Sequence, residues 1–226
     1  PHAISLGVGE PDFDTPWHVR SEGIRSLEKG RTFYTSNSGL IELRQEICKW
    51  YQRKYNVLYD YKTEALLTVG GSEGIDVALR AMLDPGDEVI IPEPCYVSYV
   101  PCVQLIGAVP VTIELKNENQ FRLTPEELLA AITDKTKILI LAFPSNPTGA
   151  VMTKEDLEPI AKICQEKDIY VISDEIYSEL TYGGQKHCSI SSLPGMKDRT
   201  IVINGFSKAY AMTGWRLGYA PAPEPI

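Results

Sequence analysis

The chain has 226 residues, of which 43% are hydrophobic and 23% charged, a balance that excludes a disordered tail or low-complexity scaffold and suits one large domain or two small ones. Lys+Arg 22 against Asp+Glu 30 leaves a net charge of −8, and a surface of that sign repels phosphate backbones and anionic lipid, so neither nucleic acid nor a membrane is an expected partner. The longest wholly apolar run, Ile138 to Phe143, is far short of the ~18 residues of a membrane span, and no signal peptide is legible.

In chain order, Thr15-Pro16 reads as a helix start, and Leu43, Ile47, Trp50 and Tyr51 define an amphipathic helix. Polar turn residues from Gly30 to Gly39 mark the one expected boundary, between an N-terminal segment (1–32) and an α/β body (33–226). From Ala65 onward, strand-length apolar runs alternate with helical periods. The predicted strands are Leu66 to Val69, Glu88 to Ile91, Val109 to Leu115, Lys137 to Phe143, Tyr170 to Ser173, Thr200 to Asn204 and Trp215 to Ala220. Unbroken apolarity, as in Ile138-Leu139-Ile140-Leu141-Ala142, suits strands covered by helices on both faces of a mostly parallel sheet. Between them, Ile75, Ala78, Leu79 and Met82 predict a helix with Ser72 at its N-cap. Thr124-Pro125-Glu126-Glu127 carries a full helix-start signature, and Thr153 opens a further helix that contains Pro159.

Ligands of open α/β sheets bind beyond the carboxyl ends of the strands. Those positions are polar here: Gly70-Gly71-Ser72-Glu73-Gly74, Pro94-Cys95-Tyr96, Pro144 to Gly149, Asp174-Glu175-Ile176-Tyr177 and Ser207-Lys208. Parallel strands would bring all five into one cleft. The helix start at Gly71 and Ser72 suits a phosphate, provided the Glu73 carboxylate turns away and offers only its N–H. GxGxxG and the lysine-containing P-loop are both missing, so a dinucleotide or nucleoside triphosphate lacks support. Asp174, at the end of an apolar strand, needs a cation or several hydrogen bonds, as a functional group or as a cap or structural ion pair. A lysine in a dry cleft is a nucleophile toward carbonyl carbon, which singles out Lys208, and Arg216 is either a bidentate phosphate clamp or a surface ion pair. Five cysteines without a CxxC spacing and three isolated histidines point to buried thiols in a reducing cytoplasm and to no metal site; Cys95 and the histidines are read as structural.

The run Ser207-Lys208-Ala209-Tyr210-Ala211-Met212-Thr213-Gly214-Trp215-Arg216-Leu217-Gly218-Tyr219 resembles the lysine segment of class I aminotransferases that use pyridoxal 5'-phosphate. Pro144 to Gly149, Ser173 to Tyr177, Gly9-Glu10-Pro11-Asp12-Phe13 and Gly70-Gly71-Ser72 resemble further motifs of that family, in the same order over essentially the whole chain. The resemblance implies a three-layer α/β sandwich with a seven-stranded, mostly parallel sheet, the large domain of an aspartate aminotransferase-like fold. It also implies that the smaller C-terminal domain, with the arginine for the substrate carboxylate, is absent.

By the same resemblance, Lys208 bonds covalently to the cofactor aldehyde and moves the substrate proton, Asp174 keeps the pyridine nitrogen protonated, and Tyr177 and Asn146 hydrogen-bond the ring oxygen. Tyr96 stacks on the ring and also meets the substrate with Gly9 and Asn146. Gly71, Ser72, Glu73, Ser207 and Arg216 anchor the phosphate, Tyr34 reaches the cofactor of a neighbouring subunit in a homodimer, and the Asn146-Pro147 peptide is cis. The implied reaction moves an amino group between an L-amino acid (aspartate, aromatic or related) and a 2-oxo acid. Alternatives are a lyase or synthase of the same fold, a cofactor-sensing regulatory domain, and an inactive large-domain fragment.

Overall fold

The computed structural model describes residues 7–226. Helix α1 (Trp17–Glu28) and helix α2 (Ile41–Tyr55) precede an alternating series: β1 (Ala65–Thr68), α3 (Gly70–Met82), β2 (Glu88–Glu93), α4 (Tyr99–Leu105), β3 (Val109–Glu114), α5 (Pro125–Ala131), β4 (Thr136–Ala142), α6 (Lys154–Glu166), β5 (Tyr170–Asp174), β6 (Thr200–Gly205) and β7 (Gly218–Pro221). All seven predicted strands form, in one sheet of order β1-β7-β6-β5-β4-β2-β3.

Strands β2 to β6 pair in parallel, whereas β7 runs antiparallel to both β6 and β1. Two reversals therefore return β1 to the direction of the parallel strands. The start of β7 meets the carboxyl ends of its neighbours, with Gly218 opposite both Thr68 and Gly205.

Continuous apolar strands are covered on both sides, as expected. On one face Ile138, Ile140, Ile172 and Ile203 pack beneath Ile75 and Leu79 of α3 and Val103 of α4. On the other, Leu139, Leu141 and Val171 pack against Leu128 of α5 and Leu157, Ile160 and Cys164 of α6. Tyr51 of α2 joins Tyr59, Val202 and Tyr219 in a third cluster. Both predicted helix starts are reciprocal capping boxes, Thr124 with Glu127 and Thr153 with Asp156, and Pro159 lies inside α6.

Two boundaries differ from expectation. Helix α3 begins at Gly70 with Val69 as its cap residue, so Ser72 sits inside the first turn and caps nothing. The last strand begins at Gly218 instead of Trp215, because Thr213–Trp215 is a 3-10 turn and Arg216 takes a left-handed conformation at φ 52°. Thr15 does not cap α1; its hydroxyl donates to the Ala211 carbonyl at 2.5 Å and ties the N-terminal segment to the body. No helix among the described residues is long and apolar enough to cross a membrane.

Candidate active site

At the carboxyl edge of the sheet lies a cavity of about 430 Å³. Ten predicted positions line it: Gly9, Gly71, Ser72, Tyr96, Asn146, Asp174, Tyr177, Ser207, Lys208 and Arg216. Parallel strands β2, β4, β5 and β6 deliver most of these from successive loops, and the reversed β7 brings in Arg216.

Asp174 ends β5 with only 8% of its surface exposed. The Tyr99 hydroxyl donates to Oδ2 at 2.7 Å and the Ile176 N–H to Oδ1 at 3.1 Å. Burial lifts the carboxyl above its ordinary range; the two hydrogen bonds pull it back, and the neighbouring Glu175 adds to the rise. The needed stabilisation thus comes from hydrogen bonds, with no cation contributing among the described residues. Tyr99 was not anticipated. It follows Tyr96 by one helical turn and reads as core, yet its hydroxyl faces the one strand-end carboxylate that required donors.

Lys208 follows β6; its Nζ donates to the Gly9 carbonyl at 2.5 Å and stands 5.7 Å from the centre of the Tyr177 ring. The Gly9-Glu10 motif of the N-terminal segment therefore reaches the lysine, and the Thr213 hydroxyl donates to Glu10 at 2.7 Å. Burial, then the Asp174 charge, raises the Tyr177 phenol, so its hydroxyl keeps its proton and serves as a donor. The Tyr96 ring meets Tyr99 edge-on, with centroids 5.7 Å apart. Asn146 enters the cavity between Pro144 and Pro147, and the Asn146–Pro147 peptide is cis.

Where α3 starts, Gly71, Ser72 and Arg216 line the cavity in an arrangement that could hold an anion. Gly70 has φ +74°, and a Cβ there would fall 2.4 Å from the Arg216 guanidinium. A Cβ on Gly218 would lie 2.6 Å from the Gly70 carbonyl carbon, so two glycines let helix start, strand and arginine meet. Arg216 is fixed by donation from Nη1 to the Thr213 carbonyl at 2.9 Å. The Glu73 carboxylate folds back to accept the Val69 N–H and does not line the cavity, as its charge requires. Tyr34 is fully exposed and outside the cavity. Cys95 borders Tyr96, and burial pushes its thiol up to about 11, which keeps it protonated. Among the described residues no group of His, Cys, Asp and Glu is arranged to hold a metal ion. One cavity thus offers a primary amine, a buried acid, a phenol donor and an anion cradle.

A mostly parallel, helix-covered sheet with an amine and a buried carboxylate lining one cavity at its carboxyl edge defines an α/β protein with a small-ligand cleft. The family model described as "Aminotransferase class I and II" matches residues 1–226, and the chain belongs to that family. It is 51% identical over 221 residues to the putative aminotransferase YugH of Bacillus subtilis, covering 98% of this chain and 57% of that protein. To the aspartate aminotransferase of Pyrococcus abyssi it is 49% identical, with 99% and 57% covered. The aromatic aminotransferase structure from Pyrococcus horikoshii superposes with a TM-score of 0.96 at 49% identity, over 98% of this chain and 59% of that one. Aspartate aminotransferase from Thermus thermophilus with maleate gives 0.93 at 43%, over 97% and 56%. The fold is that of aspartate aminotransferase, and the chain spans a little over half the length of these relatives.

Proposed function

We propose that residues 33–226 are the cofactor-binding domain, and residues 1–32 the N-terminal active-site segment, of a pyridoxal-phosphate-dependent aminotransferase. The observation that carries this reading is that the Lys208 amine, the buried Asp174 carboxylate and the Arg216 cradle open into one cavity. The residues fit the group. Gly70 leaves room for the Arg216 guanidinium, which any Cβ would displace from the cavity wall, and Asp174 is a buried acid lining the same cavity with no protein cation beside it among the described residues.

Ser72, Ser207, Arg216 and the N–H groups at Gly71 to Glu73 would hold the phosphate, Tyr96 would cover the ring, and Asn146 and Tyr177 would donate to its oxygen. When bound, pyridoxal phosphate supplies an electron sink for the substrate α-carbon. Asp174, braced by Tyr99 and Ile176, would hold the proton of the ring nitrogen in a low-dielectric site. Lys208 Nζ, released from Gly9, would take up and redeliver the substrate α-proton, a general acid–base contribution of about 10²- to 10⁴-fold. Gly9, Tyr96 and Asn146 line the side where an amino acid and then a 2-oxo acid would lie.

Relatives named aspartate and aromatic-amino-acid aminotransferases support an aspartate or aromatic donor. The exposed Tyr34 beside Phe33 supports a homodimer in which Tyr34 meets the neighbouring cofactor, and five cysteines without a CxxC spacing support a cytoplasmic enzyme.

Lys208→Ala in the complete gene product is expected to abolish the visible band of lysine-bound cofactor and its trapping by borohydride. Retention of a borohydride-trappable band would remove Lys208 from this role. A donor and acceptor screen, reading 2-oxo acid formation against ammonia release, separates transfer from a lyase reaction.

A further inference from the structure

Directly behind Asp174, on the opposite face of the sheet, lies a second carboxylate that the proposed chemistry does not use. Glu175 is 0% exposed. Its Oε1 accepts hydrogen bonds from Ser173 at 3.0 Å and Ser189 at 2.6 Å. Its Oε2 faces Nε2 of His187 at 3.1 Å, and the His187 side chain is only 5% exposed. Apart from this approach, which does not meet hydrogen-bond geometry, neither buried atom has a partner among the described residues. The Tyr55 ring meets the imidazole edge-on, with centroids 5.9 Å apart. The phenols of Tyr51, Tyr55, Tyr59 and Tyr219 around Glu175 all keep their protons, raised by burial first and by the Glu175 charge among the lesser causes. A carboxylate buried among neutral phenols is costly unless it is paired.

Strand alternation turns this distant pair into an active-site matter. Asp174 and Glu175 are consecutive, so their side chains leave opposite faces of one backbone. The Glu175 N–H donates to the Ile203 carbonyl of β6 at 2.8 Å, and its carbonyl accepts the Ser178 N–H at 2.9 Å, closing the turn that carries Tyr177. Fixing the Glu175 side chain from behind therefore fixes the two groups in front. We propose that Glu175 and His187 are a buried positioning pair, Oε2 set against Nε2, which holds the Asp174–Tyr177 turn in register with the cofactor cavity. The loop bearing His187 is thereby coupled to a site it never enters. A misplacement of about 1 Å in such a site can cost about a hundredfold in rate.

This inference rests on the reading that the cavity takes pyridoxal phosphate, and its test uses Glu175→Gln, His187→Gln and the double variant in the complete gene product. Two quantities are read: pyridoxal phosphate affinity by fluorescence quenching, and the pH titration of the bound cofactor's visible band. Each single variant leaves one buried partner alone; it is expected to weaken affinity at least tenfold and to displace the titration. The double variant, with two neutral amides, recovers most of the loss. Singles that only melt earlier, with affinity and titration as in the parent, overturn the proposal, as do losses that simply add in the double variant. Should a single variant be recovered only unfolded, a folded double variant with near-parent affinity supports the pairing and an unfolded one overturns it. A parent that binds no cofactor overturns the functional reading and this inference with it, whereas a parent and variants that bind equally overturn the inference alone.

Discussion

Burial of Asp174 has a thermodynamic signature that can be read without any ligand. Because its carboxyl lies above the ordinary range when folded, the native chain holds that proton more tightly than the unfolded chain. Stability linked to this group therefore falls as pH rises from the unfolded carboxylate value, about 4, through the raised folded value. Asp174→Asn is expected to raise the melting temperature of the cofactor-free protein at pH 7, with the gain fading toward pH 4, and to weaken cofactor binding. A variant that melts earlier than the parent at pH 7 would contradict this. Lys208 and Asp174 were legible in the sequence because each places a charge at the end of an apolar strand. Tyr99 was not, since an aromatic at helical spacing signals core, and its ring is indeed core while only its hydroxyl is functional. Glu175 was hidden for a similar reason: nothing in Asp-Glu-Ile-Tyr says which carboxylate points forward.

At the scale of elements, helix starts governed by side-chain chemistry were readable, as Thr124 and Thr153 attest. The start of α3 was not, because it is set by a tertiary contact between Gly70, Gly218 and Arg216 that no local pattern records. That contact yields a direct test. Gly70→Ala adds a methyl 2.4 Å from the guanidinium at φ +74°. Left-handed backbone costs a non-glycine residue about 1–2 kcal/mol, so thermal melts should show at least that loss. Pyridoxal phosphate affinity should fall as Arg216 is displaced. Unchanged affinity would mean the arginine does not need its seat on Gly70. The β7 boundary moved for the same kind of reason, since Trp215 and Leu217 extend the apolar pattern while the left-handed Arg216 between them interrupts the strand.

The whole molecule has an uneven surface. Phe13, Trp17, Ile24, Leu27 and Phe33 are exposed along the N-terminal segment, and α1 buries none of its residues. Apolar exposure concentrated in this way marks an interaction face. The 226-residue chain alone is expected to self-associate at micromolar concentration in sedimentation velocity and to bind a hydrophobic dye; a monodisperse, dye-silent monomer would contradict that. Seven strands and a covered sheet were legible from apolar runs. Their order was not, because the short strands β1 and β7, neighbours at one side of the sheet, carry too few residues to declare parallel or antiparallel pairing.

Strand order also dictates when the cavity can exist during biosynthesis. β1 emerges from the ribosome early but hydrogen-bonds to β7, which is made after every other strand and slots between β1 and β6. Until that late insertion, the nascent chain holds an unzipped edge on each side of the gap, a template for wrong pairing. The same event delivers Gly218 and Arg216 to the helix start, so closing the sheet and finishing the phosphate cradle are one step of assembly.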